Sequence, residues 1–258
     1  MKGIAGKRVF ISAAAAGIGR TVVAHFLGAG ARVCICDIDE AALARLEGSQ
    51  DRLSVVRADV ADPAQLESAF HTVASDLGGL DVLVNNAGIS GPTANTEDIT
   101  PLDWKRTIDV NLNGAFYCSR LAIPLLKASG GGSIINIAST AGLHGYPLRA
   151  PYAASKWALI GLTKTLAMEL GPHGIRVNAV CPGSVEGPRI DGVHAAKAAA
   201  RGVSVEEIRA AFRHKSSLRT LIAPDDVAAT ILFLCSDNGA RISGQALAVD
   251  GHTETMRM

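Results

Sequence analysis

Tyr152 and Lys156 have the chemistry of a proton-transfer pair. On a helix, residues four positions apart share a face, so the ammonium group would lie one turn from the phenol. A free phenol is a poor base at neutral pH, and a neighbouring cation favours the phenolate. The same spacing also arises by chance, as a half-buried ring beside a solvated lysine, so the pair predicts chemistry only together with its surroundings.

Ser139 is one such neighbour, because it ends the apolar run 133–139 and precedes Tyr152 at loop distance. The run predicts a strand, and a hydroxyl at its end could donate a hydrogen bond to a reacting oxygen. The alternative is a serine that only caps its own backbone.

A strand, a glycine-containing turn and a helix open the chain. Residues 7–12 predict the strand, Gly17 and Gly19 the turn, and the amphipathic residues 20–27 the helix. Such glycines let the backbone approach a pyrophosphate at the helix N-terminus, where free N–H groups and the helix dipole favour negative charge. A glycine turn alone is a weak signal.

The second predicted strand, 31–36, ends in Asp37, about 20 residues downstream, where a ribose-binding acid is required. A carboxylate there accepts hydrogen bonds from a 2′-hydroxyl and repels a 2′-phosphate. Ile38 follows it, and the turn has no basic residue before Arg20. We therefore predict NAD, rather than NADP, as the cofactor.

The order of these features resembles the short-chain dehydrogenase/reductase family over nearly the whole chain. The family's motifs recur as the glycine turn, Asp59-Val60, Asn85-Asn86-Ala87-Gly88, Asn111, Ser139, Tyr152 with Lys156, and Pro182-Gly183.

The resemblance implies four catalytic residues. Tyr152 would be the acid/base, and Lys156 would favour its phenolate and hold the nicotinamide ribose. Ser139 would hydrogen-bond the reacting oxygen, and Asn111 would support a water that relays the proton.

The resemblance also implies a set of cofactor contacts. Asp59 and Val60 would lie against the adenine, and residues 86–88 would form a backbone wall beside the cofactor. The predicted cofactor-binding residues are Ser12, Gly17, Ile18, Gly19, Asp37, Asp59, Val60, Asn86, Ala87, Gly88, Tyr152, Lys156, Pro182, Gly183 and Val185.

Two positions depart from the family's pattern. Ala13 stands where the family's first turn usually has glycine, so its backbone must adopt an angle that alanine tolerates. Gly187 precedes Pro188 where many relatives have a threonine that contacts the nicotinamide amide, so backbone atoms around Val185 must orient that amide instead.

Strands and helices alternate along the chain without repeats or linkers, which predicts an α/β fold with a parallel sheet. The resemblance implies one Rossmann-type, doubly wound domain over 1–258, with strand order 3-2-1-4-5-6-7 and helices on both faces. The glycine turn, Asp37, Asp59, Asn86, Ser139 and Pro182 all follow predicted strands, so we expect them at one sheet edge.

Composition excludes several classes of protein. A formal net charge of +1 with interspersed signs argues against nucleic-acid or anionic-membrane binding. No segment has the roughly 18 consecutive apolar residues of a membrane span. The five scattered cysteines predict no metal site and fit a reduced, cytoplasmic setting. The resemblance implies a homo-oligomer, a dimer or tetramer, paired through helices near 103–127 and 152–170.

Substrate recognition is predicted in the segment 184–219, which contains two helical patterns, 190–201 and 205–215, where relatives carry a lid. Arg149, Arg189 and His144 are candidate substrate residues. Two guanidinium groups would suit a carboxylate, sulfonate or phosphate, although each arginine could instead be a solvated surface residue.

Three functions remain open. The first is an NAD-dependent dehydrogenase of a secondary alcohol, with a polyol, sugar or hydroxy acid as substrate. The second is a 3-oxoacyl thioester reductase, which Asp37 opposes because biosynthetic reductases usually require NADP. The third is a non-catalytic dinucleotide-binding sensor.

Overall fold

The computed structural model describes residues 1–255. They fold around a seven-stranded parallel sheet. The strand order β3-β2-β1-β4-β5-β6-β7 confirms the predicted doubly wound fold. The strands are β1 (Arg8–Ser12), β2 (Arg32–Asp37), β3 (Leu53–Arg57), β4 (Val82–Asn85), β5 (Gly132–Ile137), β6 (Ile175–Pro182) and β7 (Ala246–Val249).

Helices cover both faces of this sheet. They are α1 (Gly17–Gly28), α2 (Glu40–Ala44), α3 (Pro63–Leu77), α4 (Pro101–Ile108), α5 (Gly114–Ala128), α6 (Ala150–Leu170), α7 (Pro188–Arg201), α8 (Val205–His214) and α9 (Pro224–Cys235). The two helical patterns predicted in the segment 184–219 correspond to α7 and α8, which pack against each other.

Side chains of β1 alternate between two apolar clusters, as the period of a strand requires. Val9 and Ile11 join the cluster that contains α1 and α9 residues, whereas Phe10 joins the cluster under α3 and α5. Because both faces are buried, the three central residues of the strand, Val9, Phe10 and Ile11, are all apolar. The sheet is therefore a rigid platform whose carboxyl edge holds the loops of the site.

Residues Asp109–Asn113 form a π-helical turn between α4 and α5, so the helix predicted over 103–127 is interrupted. The wider turn changes the direction of the side chains relative to a continuous α-helix. It buries Asn111 completely against α6, since the Asn111 amide donates to Ser155 Oγ at 3.1 Å. Such turns are frequent at functional sites.

Candidate active site

One cavity of about 450 Å³ lies at the carboxyl edge of the sheet, where open α/β folds bind ligands. Its size is within the range of small-molecule pockets. The predicted site residues that line it are Gly17, Ile18, Asp37, Asn86, Ser139, Arg149, Tyr152, Lys156, Pro182, Gly183, Val185 and Arg189. The predicted residues outside its lining are Ser12, Gly19, Asp59, Val60, Ala87, Gly88, Asn111 and His144.

The glycine turn is held by Asn86, whose amide donates to the carbonyls of Ser12 at 3.0 Å and Ala13 at 2.7 Å. In return, Ser12 Oγ accepts from the backbone N–H groups of Asn86 and Ala87, each at 3.1 Å. A Cβ at Gly19 would lie 2.6 Å from Asn86 Nδ2 and 2.7 Å from the Ala13 carbonyl oxygen, so only glycine fits. Ser12, Gly19 and Ala87 thus shape the turn from behind the cavity wall.

Helix α1 begins at this turn with its N-terminal N–H groups open to the cavity. The residue before it, Ala16, provides no side-chain cap, and no atom lies within 4 Å of where a Gly17 Cβ would be. Uncapped N–H groups and the helix dipole favour an anion at this position. The turn therefore fits the pyrophosphate of a dinucleotide.

Asp37 ends β2 beside the turn. Its Oδ2 accepts a hydrogen bond from the Ala15 N–H at 3.0 Å, and its Oδ1 accepts from the Asp39 N–H at 3.1 Å. These bonds fix the carboxylate at the cavity wall, where a ribose next to the pyrophosphate would reach it.

Asp59 and Val60 lie after β3, away from the cavity lining. Asp59 Oδ1 accepts from the Ala61 N–H at 2.9 Å, which is a local turn contact. Val60 is buried, and a Cβ at Gly114 would lie 2.8 Å from its Cγ2. In this structure both residues support the fold, and the predicted adenine contact stays a prediction.

Tyr152 and Lys156 both line the cavity from the first turns of α6. The Lys156 ammonium donates to the Ile137 carbonyl at 2.8 Å and lies 5.7 Å from the centroid of the Tyr152 ring. Burial, and then the nearby charge of Arg189, lower the pKa of Lys156 to about 7. The backbone carbonyl at the end of β5 therefore fixes the ammonium near the Tyr152 ring, and the position does not depend on a hydrogen bond to the phenol.

Ser139 has two structural roles. Its Oγ accepts a 3.1 Å hydrogen bond from the Ala141 N–H, so Ser139 does cap the backbone that follows it. The residue also lines the cavity together with Tyr152 and is almost fully buried. The same hydroxyl still has its proton to donate into the cavity.

Asn111 lies behind the cavity wall and holds the backbone of Ile89. Its Oδ1 accepts from the Ile89 N–H at 2.7 Å, and its Nδ2 donates to the Ile89 carbonyl at 3.0 Å. A Cβ at Gly88 would lie 3.4 Å from both Asn111 Oδ1 and Lys156 Nζ. The backbone at Gly88 therefore lies near both of these side chains, at ordinary van der Waals spacing.

The loop after β6 forms another part of the cavity wall. Gly183 packs on Asp250, since a Cβ there would lie 2.9 Å from the Asp250 Cα. Val185 forms a parallel bridge with Ile222, which anchors the start of the segment 184–219.

The three candidate substrate residues differ in placement. Arg149 is buried, and its Nη2 donates to the Ser90 carbonyl at 2.7 Å. Arg189 is exposed at the cavity rim and donates to the Gly88 carbonyl. His144 does not line the cavity, and its carbonyl accepts from Trp157 Nε1 at 3.4 Å.

Sequence reasoning missed four residues of the substrate side. Tyr146, Phe212 and Lys215 line the cavity, and Lys197 lies directly behind Tyr146, with its Nζ 4.3 Å from the ring centroid. No residue type or spacing marks them in the sequence, since a lysine in an alanine-rich helix, as Lys197 is, predicts a solvated side chain.

Comparison with known proteins agrees with this geometry. A family model described as enoyl-(acyl carrier protein) reductase matches residues 13–252. A 3β-hydroxysteroid dehydrogenase from Mediterraneibacter gnavus is 34% identical over 95% of this chain and 94% of its own length. The chain belongs to the short-chain dehydrogenase/reductase family.

Other members of the short-chain dehydrogenase/reductase family are also similar to this chain over nearly its whole length. A trans-4-hydroxycyclohexanecarboxylate dehydrogenase from Sinomonas cyclohexanicum is 39% identical over 96% of this chain and 93% of its own. The crystal structure of a 3-ketoacyl-(acyl-carrier-protein) reductase from Brucella melitensis complexed with NADH superposes with a TM-score of 0.86. It is 34% identical and covers 96% of this chain and 98% of its own. This chain is therefore an oxidoreductase.

Within residues 1–255, no helix is both long enough and apolar enough to cross a membrane.

Proposed function

We propose that this protein is an NAD-dependent oxidoreductase that interconverts a secondary alcohol and a ketone, with Tyr152 as the acid/base. The observation that supports the proposal most is that Tyr152, Lys156 and Ser139 line the same cavity as the glycine turn and Asp37. A proton-transfer group and a dinucleotide-binding turn thus face one space.

The chain provides the contacts that such a cofactor needs. The open N-terminus of α1 would take the pyrophosphate, Asp37 the adenosine ribose and Lys156 the nicotinamide ribose. When bound, the nicotinamide supplies the hydride acceptor for oxidation or the donor for reduction.

Side chains of the protein would take the proton of the substrate hydroxyl and stabilise the charge that develops on its oxygen. In oxidation the Tyr152 phenolate takes the proton of the substrate hydroxyl, and the Ser139 hydroxyl donates a hydrogen bond to the same oxygen. The Lys156 ammonium favours the phenolate by its charge. Asn111 acts as a positioning residue, because it fixes the backbone at Ile89, the residue after Gly88, which lies near the Lys156 ammonium.

Asp37 favours NAD over NADP, because a fixed carboxylate repels a 2′-phosphate. The Brucella melitensis reductase, which is 34% identical, was crystallised with NADH. Both observations support NAD as the cofactor of this chain.

We propose a polar or anionic small molecule as substrate: a polyol, a sugar or a hydroxy acid. Arg149 and Arg189 line the cavity, and the relative from Sinomonas cyclohexanicum is named for a hydroxy carboxylate. The segment 184–219, which includes α7 and α8, would act as the lid of a single catalytic domain.

A 3-oxoacyl thioester reductase is the second candidate, because the similar Brucella melitensis protein is a 3-ketoacyl-(acyl-carrier-protein) reductase. The buried cations of the pocket suit an anion better than an acyl chain. A non-catalytic sensor is disfavoured because Tyr152, Lys156 and Ser139 all line the cavity.

We further propose a homo-oligomer in the cytoplasm. Trp104, Phe116 and Trp157 are large, exposed apolar residues on α4, α5 and α6, the helices through which pairing was predicted. The five cysteines are free and buried, which suits a reducing compartment. Light scattering coupled to size-exclusion chromatography tests the oligomer.

The experiment follows absorbance of the reduced nicotinamide over a panel of secondary alcohols, polyols, sugars and hydroxy acids, with NAD and NADP in parallel. A 3-oxoacyl thioester with NADPH or NADH is assayed in the reverse direction. Turnover of a polar or anionic alcohol with NAD supports the proposal. Preference for the thioester with NADPH would replace it with the second candidate.

A further inference from the structure

Arg149 is a buried cation in the wall of the proposed substrate pocket. It is only 2% exposed, it lines the cavity, and it lies three residues before Tyr152. Its guanidinium packs on two tyrosine rings, since Cζ lies 5.0 Å from the Tyr152 centroid and 5.6 Å from the Tyr146 centroid. Arginine keeps its charge in proteins, so burial does not remove this charge by deprotonation.

Most of the hydrogen-bonding capacity of this guanidinium is unused. Nη2 donates to the Ser90 carbonyl at 2.7 Å. Nε and Nη1 are enclosed and have no hydrogen-bond partner in the described part of the chain. Buried polar groups are almost always hydrogen-bonded, and a buried charge is costly without a counter-charge. The ring faces offset part of that cost, but they accept no conventional hydrogen bond and carry no net charge. The arrangement is therefore suited to an acceptor with negative charge.

The acids of the chain do not supply that charge. Among residues 1–255, the acids that line the cavity are Asp37, Glu186 and Asp250. Both oxygens of Asp250 accept from backbone N–H groups that follow it, and those of Asp37 are held at the glycine turn. Glu186 is exposed at the rim. Within the same residues, no carboxylate forms an ion pair with Arg149. A counter-charge for Arg149 would thus come from a ligand.

Arg189, the other arginine of the cavity, is placed differently. It is exposed at the rim and donates to the Gly88 carbonyl. An exposed guanidinium is hydrated and needs no bound anion. Arg149 is therefore the arginine whose burial favours a charged ligand.

Tyr146 and α7 restrict access to the Arg149 guanidinium. The Tyr146 ring packs on the guanidinium, and Lys197 of α7 packs on the same ring, with its Nζ 4.3 Å from the centroid. Because Nε and Nη1 are enclosed, an anion reaches them only when Tyr146 shifts together with the helix that packs on it.

The guanidinium and the proposed acid/base face one space. Ser139 and Tyr152 line the cavity together with Arg149. An anionic group on Arg149 and a hydroxyl at Tyr152 would therefore belong to one small molecule. A planar guanidinium matches the geometry of a carboxylate.

We propose that Arg149 binds the carboxylate of the substrate and that the substrate is a hydroxy acid rather than a polyol or a neutral sugar. A neutral substrate would leave the buried guanidinium without a counter-charge and would bind more weakly than a carboxylate of the same shape. The inference rests on the proposed alcohol oxidation and narrows its substrate class.

The test is calorimetric titration of the NADH-saturated protein with butyrate, butyramide and inorganic phosphate. Saturation with NADH keeps anions away from α1. Butyrate and butyramide differ in charge and hardly in size. We expect butyrate to bind at least tenfold more tightly than either of the other probes. Equal binding of butyrate and butyramide would overturn the proposal, and tighter binding of phosphate would overturn the assignment of the anion as a carboxylate.

The pH dependence distinguishes the arginine from the nearby lysines. Burial lowers the pKa of Lys156 and Lys197 to about 7 and that of Lys215 to about 8. These lysines lose charge between pH 7 and pH 9, whereas an arginine does not. Burial lowers the pKa of His194 below its usual range and raises that of Tyr146 to about 12, so neither titrates in this window. We expect the preference for butyrate to persist at pH 9, and its loss there would assign the charge to the lysines and overturn the proposal.

Variants locate the binding. Arg149→Met should abolish the preference for butyrate over butyramide, and Arg149→Lys should keep part of it, because the charge remains without the planar group. Arg213→Met removes an exposed cation of α8 and should bind as the wild type does. NADH binding and the thermal midpoint show whether each variant is folded. The proposal is overturned if folded Arg149→Met prefers butyrate as strongly as Arg213→Met does. If Arg149→Met does not fold, the pH series of the wild type and Arg149→Lys decide.

The outcome is separable from that of the proposed function. Preference for butyrate together with a silent alcohol panel would contradict the oxidation and support the Arg149 subsite. Alcohol turnover with equal binding of butyrate and butyramide would do the reverse. If NADH does not bind, the titration is repeated on the free protein, where Arg149→Met still distinguishes this subsite from the glycine turn.

Discussion

The guanidinium carbon of Arg149 lies 5.0 Å from the ring centroid of Tyr152, and Arg149 Nη2 is fixed by a 2.7 Å hydrogen bond to the Ser90 carbonyl. A permanent cation is thereby held by the backbone beside the proposed acid/base. We regard Arg149 as a residue that positions an anionic substrate against Tyr152.

Arg149→Met should therefore raise KM for an anionic alcohol by tenfold to a hundredfold while kcat falls less than about threefold. The lost contact is a charge-assisted hydrogen bond worth about 1.5–3 kcal/mol. Steady-state kinetics with an anionic alcohol and its neutral amide measure the effect. Equal losses of kcat on both substrates would contradict the positioning role.

Asp37→Ser should shift cofactor preference toward NADP. Removal of the carboxylate ends its repulsion of a 2′-phosphate and weakens its contact with a 2′-hydroxyl. We expect the ratio of kcat/KM for NAD over NADP to fall at least tenfold.

Asp39→Ser is the matched control for Asp37→Ser. Asp39 lies two positions further, caps α2 through the Ala42 N–H and does not line the cavity. A serine can provide the same cap. An equal change of preference in both variants would show that Asp37 does not select the cofactor.

Ala13 has a φ of 51°, in the left-handed region that favours glycine. This conformation costs alanine about 1 kcal/mol, whereas glycine adopts it without strain. Ala13→Gly should therefore be more stable than Ala15→Gly by about 1 kcal/mol, since Ala15 is equally half-buried without a positive φ. Urea unfolding measures both, and a less stable Ala13→Gly protein would contradict the assigned strain.

The stability of the cofactor-free protein should rise between pH 7 and pH 8. Burial lowers the pKa of Lys156 and Lys197 to about 7 and that of Lys215 to about 8, from 10.5. In this window the unfolded chain binds more protons than the folded one, so the free energy of unfolding increases with pH. Each fully displaced proton contributes about 1.4 kcal/mol per pH unit.

Urea unfolding under reducing conditions at pH 7.0, 7.5 and 8.0 tests this slope. Lys197→Met should flatten it. Above about pH 9 the trend reverses, because burial raises the pKa of thiols such as Cys36 and Cys235 to about 12 and the unfolded chain loses those protons first. A decrease in stability from pH 7 to pH 8 would refute the account.

The sheet and its ligand-binding edge were predictable because their signals are local. Asp37 and Ser139 each follow an apolar strand, and parallel strands joined by right-handed crossovers bring such ends to one edge. Each motif could therefore be placed without knowledge of side-chain packing.

The substrate side was not predictable, because it depends on packing between distant elements. Lys197 in an alanine-rich helix predicts a solvated side chain, and only the contact of α7 and α8 with Tyr146 buries it. His144 shows the opposite outcome, since its nearness to Ser139 in sequence does not bring it to the cavity wall.

The detailed geometry of the catalytic pair also required the structure. The spacing of Tyr152 and Lys156 predicts a stacked pair, whereas the ammonium donates to Ile137 at the end of β5. The turn that orients Asn111 has the pattern of an ordinary helix, and its π form is not evident from residue types.

The most direct measurement is the rate of NADH formation by the wild type, Tyr152→Phe and Tyr117→Phe on the best alcohol of the panel, together with NADH binding by each. Tyr117 is on α5, outside the cavity lining, and its variant should keep full activity. Tyr152→Phe should lose turnover by roughly 100-fold or more and keep NADH affinity within about threefold. Turnover by Tyr152→Phe at the wild-type rate would contradict the assignment of Tyr152 as the acid/base.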